Sequence, residues 1–241
     1  MIEKIFDIHI FFGKSLYQRN LEKDWLKSME KKYPLIAGNL IPCKPYDYFF
    51  EPANKAVEKI NISSPKWQHS LRVDPWRFDE AIKMINESNS KILFIHPFEE
   101  QIYPTHANVK KIIEQASGRN MLIMIACGYL PFSHSAQVFP LIKDFPKAIS
   151  ILTHGAQINV CGMHMEEAFE IFENYPNTIF ETSGIYREDY IEKAIKLLGP
   201  ERVVFGSASP VYDLRFELER IKFLKCEQKI KEQIINLFIF F

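Results

Sequence analysis

The feature that most constrains the fold of this chain is the alternation of short apolar, β-rich runs with longer amphipathic runs. This alternation is typical of βα units arranged around a parallel sheet. The apolar runs predict eight strands, at Lys4–His9, Leu35–Cys43, Trp67–Val73, Lys91–His96, Met121–Cys127, Ile149–His154, Thr178–Thr182 and Arg202–Ser207. Apolar residues at three- and four-residue spacing predict helices at Leu21–Lys32, Asp79–Glu87, Val109–Ala116, Ala136–Asp144, Met165–Asn174, Asp189–Leu198 and Leu214–Leu224. Eight such units predict an α/β fold, a single-domain TIM barrel, although the weak second and third strands leave room for a distorted one.

Length and charge narrow the expected organisation and partners. A chain of 241 residues suits one large domain with a buried core, so we expect a single barrel domain over 1–241. Lys plus Arg and Asp plus Glu each number 30, so no overall field draws the protein to nucleic acid or to an anionic membrane. Small molecules are the expected partners. Four widely spaced cysteines and a start without a secretory apolar region predict a reduced, cytoplasmic protein.

The C-terminal segment Ile234–Phe241 is unusually apolar, but it is far shorter than the roughly 18 residues that cross a bilayer. We interpret it as part of a last helix that docks on the barrel. Because an exposed apolar patch of this size favours association, a homodimer through this segment stays open as an alternative.

The ends of the predicted strands are the places to look for chemistry, because TIM barrels build their sites at the C-terminal ends of the strands. Three predicted strands end in histidine, at His9, His96 and His154. These three imidazoles are therefore expected to converge on one mouth of the barrel.

Several strand ends also carry motif residues. The first run contains Asp7, His9 and Gly13, the sixth ends in His154-Gly155, and the eighth runs into Gly206-Ser207-Ala208-Ser209-Pro210. In order, strand placement and spacing, these residues resemble the D-x-H-x-H-x-G, H-G and G-S-D-x-P motifs of the amidohydrolase-related branch of the amidohydrolase superfamily. The resemblance implies a TIM barrel, metal-dependent hydrolysis or non-oxidative decarboxylation, and Asp7, His9 and His154 as catalytic residues.

Three positions depart from the family pattern. Phe11 stands at the second His of the first motif, Ala126 at the His of a strand-five H-x-G, and Ala208 at the strand-eight Asp. Phenyl and methyl groups donate no lone pair, whereas a metal of the zinc type needs three or more nitrogen or oxygen donors. We therefore expect an incomplete metal centre and no cofactor. The alternative is one divalent metal, zinc or manganese, held by His9, His96 and His154 with an open position for water.

The resemblance implies a small ligand that bears a carboxylate, an amide or a lactone and binds at the C-terminal mouth of the barrel. Whether this ligand is turned over stays open at this point. A non-catalytic ligand-binding or interaction protein on a degenerate hydrolase barrel is one alternative. An active hydrolase or decarboxylase with the three-His metal site is the other.

Further candidates for substrate binding stand in the loops after the strands. Arg72 and Asp74 stand at the end of the third strand, where the Arg would pin a substrate carboxylate while the Asp orients it, although a plain ion pair explains the same two residues. His96 ends the fourth strand, Tyr129 stands at the end of the fifth and His134 in the loop after it, where a barrel places substrate contacts, and His134 equally suits the start of a helix.

For three acidic residues near the strand ends we favour interpretations without a catalytic role. Glu99 and Glu100 are expected in solvent, with a role as a base only if their loop folds inward. Glu181 is expected to make a structural polar contact with Arg72 or Tyr186.

Overall fold

A computed structural model describes residues 4–14, 20–21, 23–33, 36–157 and 162–237. It contains eight parallel strands and a short antiparallel one, listed here in chain order: β1 (Ile5–Lys14), β2 (Asn20–Leu21), β3 (Ile36–Pro42), β4 (Trp67–Arg72), β5 (Ile92–Ile95), β6 (Leu122–Ile125), β7 (Ser150–Leu152), β8 (Thr178–Glu181) and β9 (Val203–Val204). All eight predicted strands are confirmed, with boundaries shifted by a few residues. Leu35, the predicted start of the second strand, lies outside the described residues.

Helices fill the connections between the strands. They are α1 (Lys23–Lys32), α2 (Glu51–Ser63), α3 (Phe78–Glu87), α4 (Pro97–Glu100), α5 (Ala107–Gly118), α6 (Ser135–Asp144), α7 (Gly162–Asn174), α8 (Glu188–Leu198), α9 (Leu214–Phe223) and α10 (Gln228–Asn236). Short 3₁₀ turns occupy Thr153–Ala156 and Pro200–Arg202.

The parallel strands follow one another around a barrel in chain order, from β1 and β3 through to β9. Closure occurs where the chain after β9 returns to β1. There the Ile8 amide donates to Phe205 O at 3.1 Å, and the Phe11 amide donates to Ser209 O at 2.9 Å. The architecture is therefore the predicted α/β TIM barrel, with the C-terminal ends of all eight parallel strands at one mouth.

Side chains that alternate along the strands build two apolar layers. One face of each strand contributes to the packed barrel interior, which includes Ile8, Phe94 and Met124. The other face packs on the ring of helices, as Trp67 and Leu71 of β4 do. Strands buried on both faces read as continuous apolar runs, which is why the sequence marks them so clearly.

Several predicted boundaries are wrong. The first strand does not stop at His9, because an irregularity in its pairing between Asp7 and Ile10 lets β1 continue to Lys14. Leu21 belongs to the antiparallel β2, which pairs with that extension, so α1 begins only at Lys23.

Helix α2 is absent from the prediction. Its buried face carries the polar Asn54 beside Val57 and Ile60, which interrupts the apolar periodicity that signals a helix.

The C-terminal segment docks on the barrel as expected, up to the last described residue. Helix α10 begins at Gln228, and its residues Ile234 and Ile235 are fully buried. The Phe205 amide also donates to Ile234 O at 3.2 Å, so α10 lies against the seam where the barrel closes. Residues 238–241 lie outside the described residues. In the described part of the chain, no helix has the length and apolarity required to span a membrane.

Candidate active site at the barrel mouth

Asp7 fixes the start of the site by joining β1 to the chain that follows β9. Its Oδ1 accepts from the His9 amide at 3.0 Å and from the Ser207 amide at 2.9 Å, and its Oδ2 accepts from Ser207 Oγ at 2.5 Å. Full burial raises the pKa of Asp7 to about 7, although these hydrogen bonds oppose the rise. The carboxylate predicted to be catalytic is thus surrounded by donors of its own chain.

His154 follows β7 in a left-handed backbone conformation, with φ of 57°. Gly155 continues this turn at φ of 60°, and a Cβ there would lie 2.6 Å from the Phe180 ring. His154 Nδ1 lies 2.8 Å from Ser183 O, which can only accept, so this nitrogen carries the proton. Nε2 is then the acceptor for Tyr129 Oη at 3.1 Å. Burial lowers the pKa of His154 to about 4 and keeps the ring neutral.

Glu181 ends β8 and gathers the site around its carboxylate. The Ser183 amide and Ser183 Oγ donate to it at 2.6 and 2.8 Å, and the His154 amide donates at 3.1 Å. Burial favours the neutral acid, but the side-chain hydrogen bonds of His9 and Ser183 to this carboxylate bring the pKa of Glu181 below its usual range. The expected contact with Arg72 or Tyr186 is wrong, because Glu181 forms its hydrogen bonds with His9 of β1 and with the turns after β7 and β8.

The His9 ring has one engaged nitrogen and one free nitrogen. Nδ1 lies 3.4 Å from Glu181 Oε2 and 3.3 Å from Ser183 Oγ, whose own proton goes to Glu181. Nε2, on the other side of the ring, is buried and makes no hydrogen bond with any described residue. A proton on Nδ1 therefore leaves Nε2 as a lone-pair acceptor.

The structure brings two of the three predicted histidines into ring contact. The His9 and His154 ring centroids lie 5.6 Å apart. His96 packs instead on Tyr129 at 4.8 Å, and the Phe94 ring lies 6.0 Å from both His9 and His96. His96 Nδ1 also accepts from the Glu99 amide at 3.3 Å, and burial lowers the His96 pKa to about 3.

These donors fit a metal ion poorly. His154 uses both ring nitrogens for bonds within the protein. Phe11 packs on the barrel interior, and Ala126 and Ala208 are buried methyl groups. Within the described ranges, no group of three or more His, Cys, Asp or Glu side chains is arranged to hold a metal ion.

Arg72 is neutralised by the two acids that were expected in solvent. Glu100 accepts from Arg72 Nε at 2.9 Å and from its terminal nitrogen at 2.6 Å, and Glu99 forms a second ion pair with Arg72. The expectation of solvated acids is wrong, since Arg72 and Glu100 are fully buried and Glu99 is mostly covered. Burial opposes ionisation of Glu99, but the neighbouring Arg72 charge lowers its pKa to about 2.

Asp74 does not pair with Arg72. Its Oδ1 accepts from the Trp76 amide at 2.9 Å, and its closest cation is Arg77 at 3.9 Å. The ion pair that the sequence suggested for Arg72 therefore exists with different partners.

Aromatic rings form one side of the mouth. Phe98 stacks on Tyr129 with centroids 5.8 Å apart, and Phe132 links Phe98 to Tyr103. Phe98 and Tyr103 are exposed. His134 stands at the start of α6, where its Nδ1 accepts from the Ala136 amide at 3.2 Å, so its expected part in opening a helix is confirmed.

The fold and this mouth define the class as a TIM-barrel protein with a buried His, Glu and Ser cluster at the C-terminal ends of its strands. A family model for amidohydrolases (Amidohydro_2) matches residues 92–236, which is more than half of the chain. The chain therefore belongs to the amidohydrolase family, as the motifs at its strand ends suggested. No curated protein matches it significantly.

Solved structures agree on the fold. The chain is similar to 5-carboxyvanillate decarboxylase from Sphingomonas paucimobilis, with 12% identity, 97% of this chain and 96% of the other covered, and a TM-score of 0.73. An amidohydrolase from Burkholderia multivorans with bound zinc gives 11% identity, 96% coverage of both chains and a TM-score of 0.72. Dihydroxybenzoic acid decarboxylase from Polaromonas sp. JS666, with bound manganese and the inhibitor 2-nitroresorcinol, gives 11% identity, 97% and 94% coverage and a TM-score of 0.64.

Proposed function

We propose that the protein binds and acts on a small carboxylate-bearing molecule at the barrel mouth through its own side chains, without the standard metal centre. The observation that carries this proposal is the free Nε2 of His9, beside a Glu181 carboxylate that occupies Nδ1. An acceptor that is buried and unsatisfied in the protein is expected to meet a partner in a ligand.

His9 Nε2 is the proposed proton acceptor. Glu181 and Ser183 hold the proton on Nδ1 and stabilise the positive charge that the ring gains when Nε2 takes a second proton. The low pKa of His154 keeps that ring neutral, so the two neighbouring imidazoles do not repel each other before the proton moves. Tyr129 Oη donates its single proton to His154 Nε2 and is the proposed positioning group that holds this ring in one tautomer.

A planar carboxylate is the proposed substrate class. The exposed face of Phe98 and the stacked Tyr129 ring give a flat substrate an aromatic surface next to His96. Two similar structures are, by their names, decarboxylases of benzoate-type acids, which supports this class for the present chain. Since Arg72 is already paired, we propose that it supports the mouth and contacts a substrate carboxylate only if Glu99 gives way.

The first test is the metal content of the purified protein, measured by elemental mass spectrometry before and after incubation with zinc and manganese. We expect less than stoichiometric metal in every sample. About one metal per chain, lost in His9→Ala and His154→Ala but retained in His106→Ala, would instead establish the three-His site. His106 is a matched control, because its Nδ1 caps α5 and its ring packs on Trp76 rather than on His9, His96 or His154.

The second test screens benzoate-type acids for stabilisation of the protein and for release of carbon dioxide. If a substrate is found, His9→Gln is expected to lower kcat by about 10²-fold or more, which is typical for loss of a general base. His106→Ala should leave kcat unchanged. Binding without turnover would identify a ligand-binding protein on a hydrolase barrel, and full activity of His9→Gln would contradict the proposed role of His9.

A further inference from the structure

A second cavity lies outside the barrel, between α2 and α3. Its volume is about 460 Å³. Phe49, Leu71 and Met84 give it apolar surface, His69 faces it from β4, and Glu58 and Glu87 stand on the two helices. The position behind β4 separates this groove from the barrel mouth.

His69 interrupts the apolar layer between the sheet and the helices. Trp67 and Leu71, two residues away on either side, point outward into that layer, and strand alternation places His69 on the same face. The residue is only 8% exposed and its side chain lines the groove, where no hydrogen bond joins its ring to a described residue. A polar side chain buried to this degree normally has a partner. Burial also lowers the His69 pKa, so the ring is neutral and presents one acceptor nitrogen.

The charges around the groove favour a cation. Four carboxylates line it, from Glu51, Glu58, Glu80 and Glu87, against the two ammonium groups of Lys55 and Lys83. Glu51 is paired with Lys55, and Glu80 with Arg77. Neither Glu58 nor Glu87 forms a salt bridge with a cation in the described part of the chain.

We propose that this groove binds a small aliphatic diamine. One ammonium group lies between His69 and Glu58, which both accept hydrogen bonds. The methylene chain packs along Leu71, Met84 and Phe49, and the second ammonium group reaches toward Glu87. An acidic rim alone would attract any cation, whereas an apolar wall and a buried imidazole acceptor select an organic amine.

The groove also touches a residue that supports the mouth. Asn54, one of its lining residues, accepts from the Arg72 amide at 2.9 Å and donates to Arg72 O at 2.7 Å. Asn54 therefore lies between a bound diamine and Arg72, the residue that forms the buried ion pairs.

The proposal is tested by isothermal titration of the full-length protein with putrescine. We expect saturable binding of one molecule per chain. His69→Leu, which fills the apolar layer, and Glu58→Gln, which is half-buried on α2, should each weaken binding by roughly tenfold or more through loss of an acceptor. The control Asp79→Asn, an exposed acid of α3 outside the groove lining, should leave the affinity unchanged.

Three results would overturn the proposal. They are no binding of putrescine, equal affinity in Glu58→Gln and the parent protein, and equal binding of butanediol, which has the same chain without the charges. Circular dichroism of each variant shows whether the fold is retained, and Glu58→Gln keeps the test decisive if His69→Leu does not fold. Because the groove is separate from the mouth, loss of the proposed catalytic function would leave this result unaffected.

Discussion

Side chains at the mouth differ in whether other residues of the chain already satisfy their polar groups, and Asp7 and Arg72 are two that are satisfied. Both were chosen from the sequence because they stand at strand ends. The structure surrounds Asp7 with three donors and Arg72 with two carboxylates, so both groups are already satisfied within the chain. His9 is different, because one of its nitrogens is left for a ligand. The residue type at a strand end is readable from sequence, whereas its state of satisfaction depends on neighbours from other strands.

Asp7→Asn is expected to change the pH dependence of stability without disrupting the site. An Asn Oδ1 can accept from the same two amides, and its Nδ2 can donate to Ser207 Oγ. The Asp7 pKa is near 7 in the fold and 3.8 as the ordinary value, so its favourable contribution is complete below pH 3.8 and is lost as the pH rises through 7. Relative to the parent, Asp7→Asn should therefore gain stability between pH 5 and 8.5, by at most roughly 3 kcal/mol.

Urea unfolding of both proteins at the two pH values measures this change. Asp79→Asn, at an exposed acid in the first turn of α3, serves as the control. Its free energy of unfolding should differ from that of the parent by the same amount at both pH values. If the difference in unfolding free energy between Asp7→Asn and the parent is also the same at both pH values, Asp7 has an ordinary pKa in the fold. Burial would then not raise the pKa of this carboxyl group.

At the scale of elements, strand spacing near the mouth decides which side chains meet. The turn after β9 passes so close to the end of β8 that only glycine fits at position 206. A Cβ there would lie 2.0 Å from Glu181 Oε1 and 2.9 Å from His9 Cβ. Gly206 thus sets the distance between β1, β8 and β9 at the point where His9 meets Glu181.

Gly206→Ala is expected to push Glu181 and His9 apart and to destabilise the protein by about 1–3 kcal/mol, the usual cost of overpacking. The matched control is Gly118→Ala at the end of α5, where a Cβ meets nothing within 4 Å. There the substitution should be neutral or stabilising by up to about 1 kcal/mol, because alanine favours the helix. Thermal unfolding of the two variants decides the matter, and equal midpoints would mean that the strands can separate at no cost.

The same elements show what the sequence predicts and what it does not. The strands were predicted because runs such as Ile92–Ile95 and Leu122–Ile125 are apolar on both faces, and His9 and His154 followed from their positions at strand ends. Helix α2 was not predicted, because its buried face carries a polar residue, Asn54. The Asn54 side chain accepts a hydrogen bond from the backbone amide of Arg72. Glu181 was assigned the wrong partners, because its bond to His9 spans 172 positions of the chain. Only the closed barrel brings these two residues together.

At the scale of the whole molecule, the barrel closes at one seam, where β9 has two residues and the chain after it accepts hydrogen bonds from the Ile8 and Phe11 amides of β1. The central strands are joined more extensively, since β5 and β6 pair along four residues. Helix α10 covers the seam with Ile234 and Ile235, and its backbone accepts from Phe205. The cluster at the mouth takes His9 and Asp7 from β1 on one side of this seam and Ser207, which donates to Asp7, from the other side. The stability of the seam therefore determines how well the mouth is preorganised.

Ile234→Ala is expected to weaken this seam more than the rest of the barrel. Removing a fully buried isoleucine side chain costs about 2–5 kcal/mol, part of which appears as local opening beside β1 and β9. In native-state hydrogen exchange, the Ile8 and Phe205 amides should lose protection in the variant. The Leu122 and Ile123 amides donate to Lys91 O and Ile149 O in the central sheet. Their protection should fall only by the amount that corresponds to the change in the global free energy of unfolding. Ile62→Ala, at a 75% exposed position of α2, should change neither set. A uniform loss of protection across all four amides would show that the barrel opens as one unit, and that the seam is no weaker than the centre of the sheet.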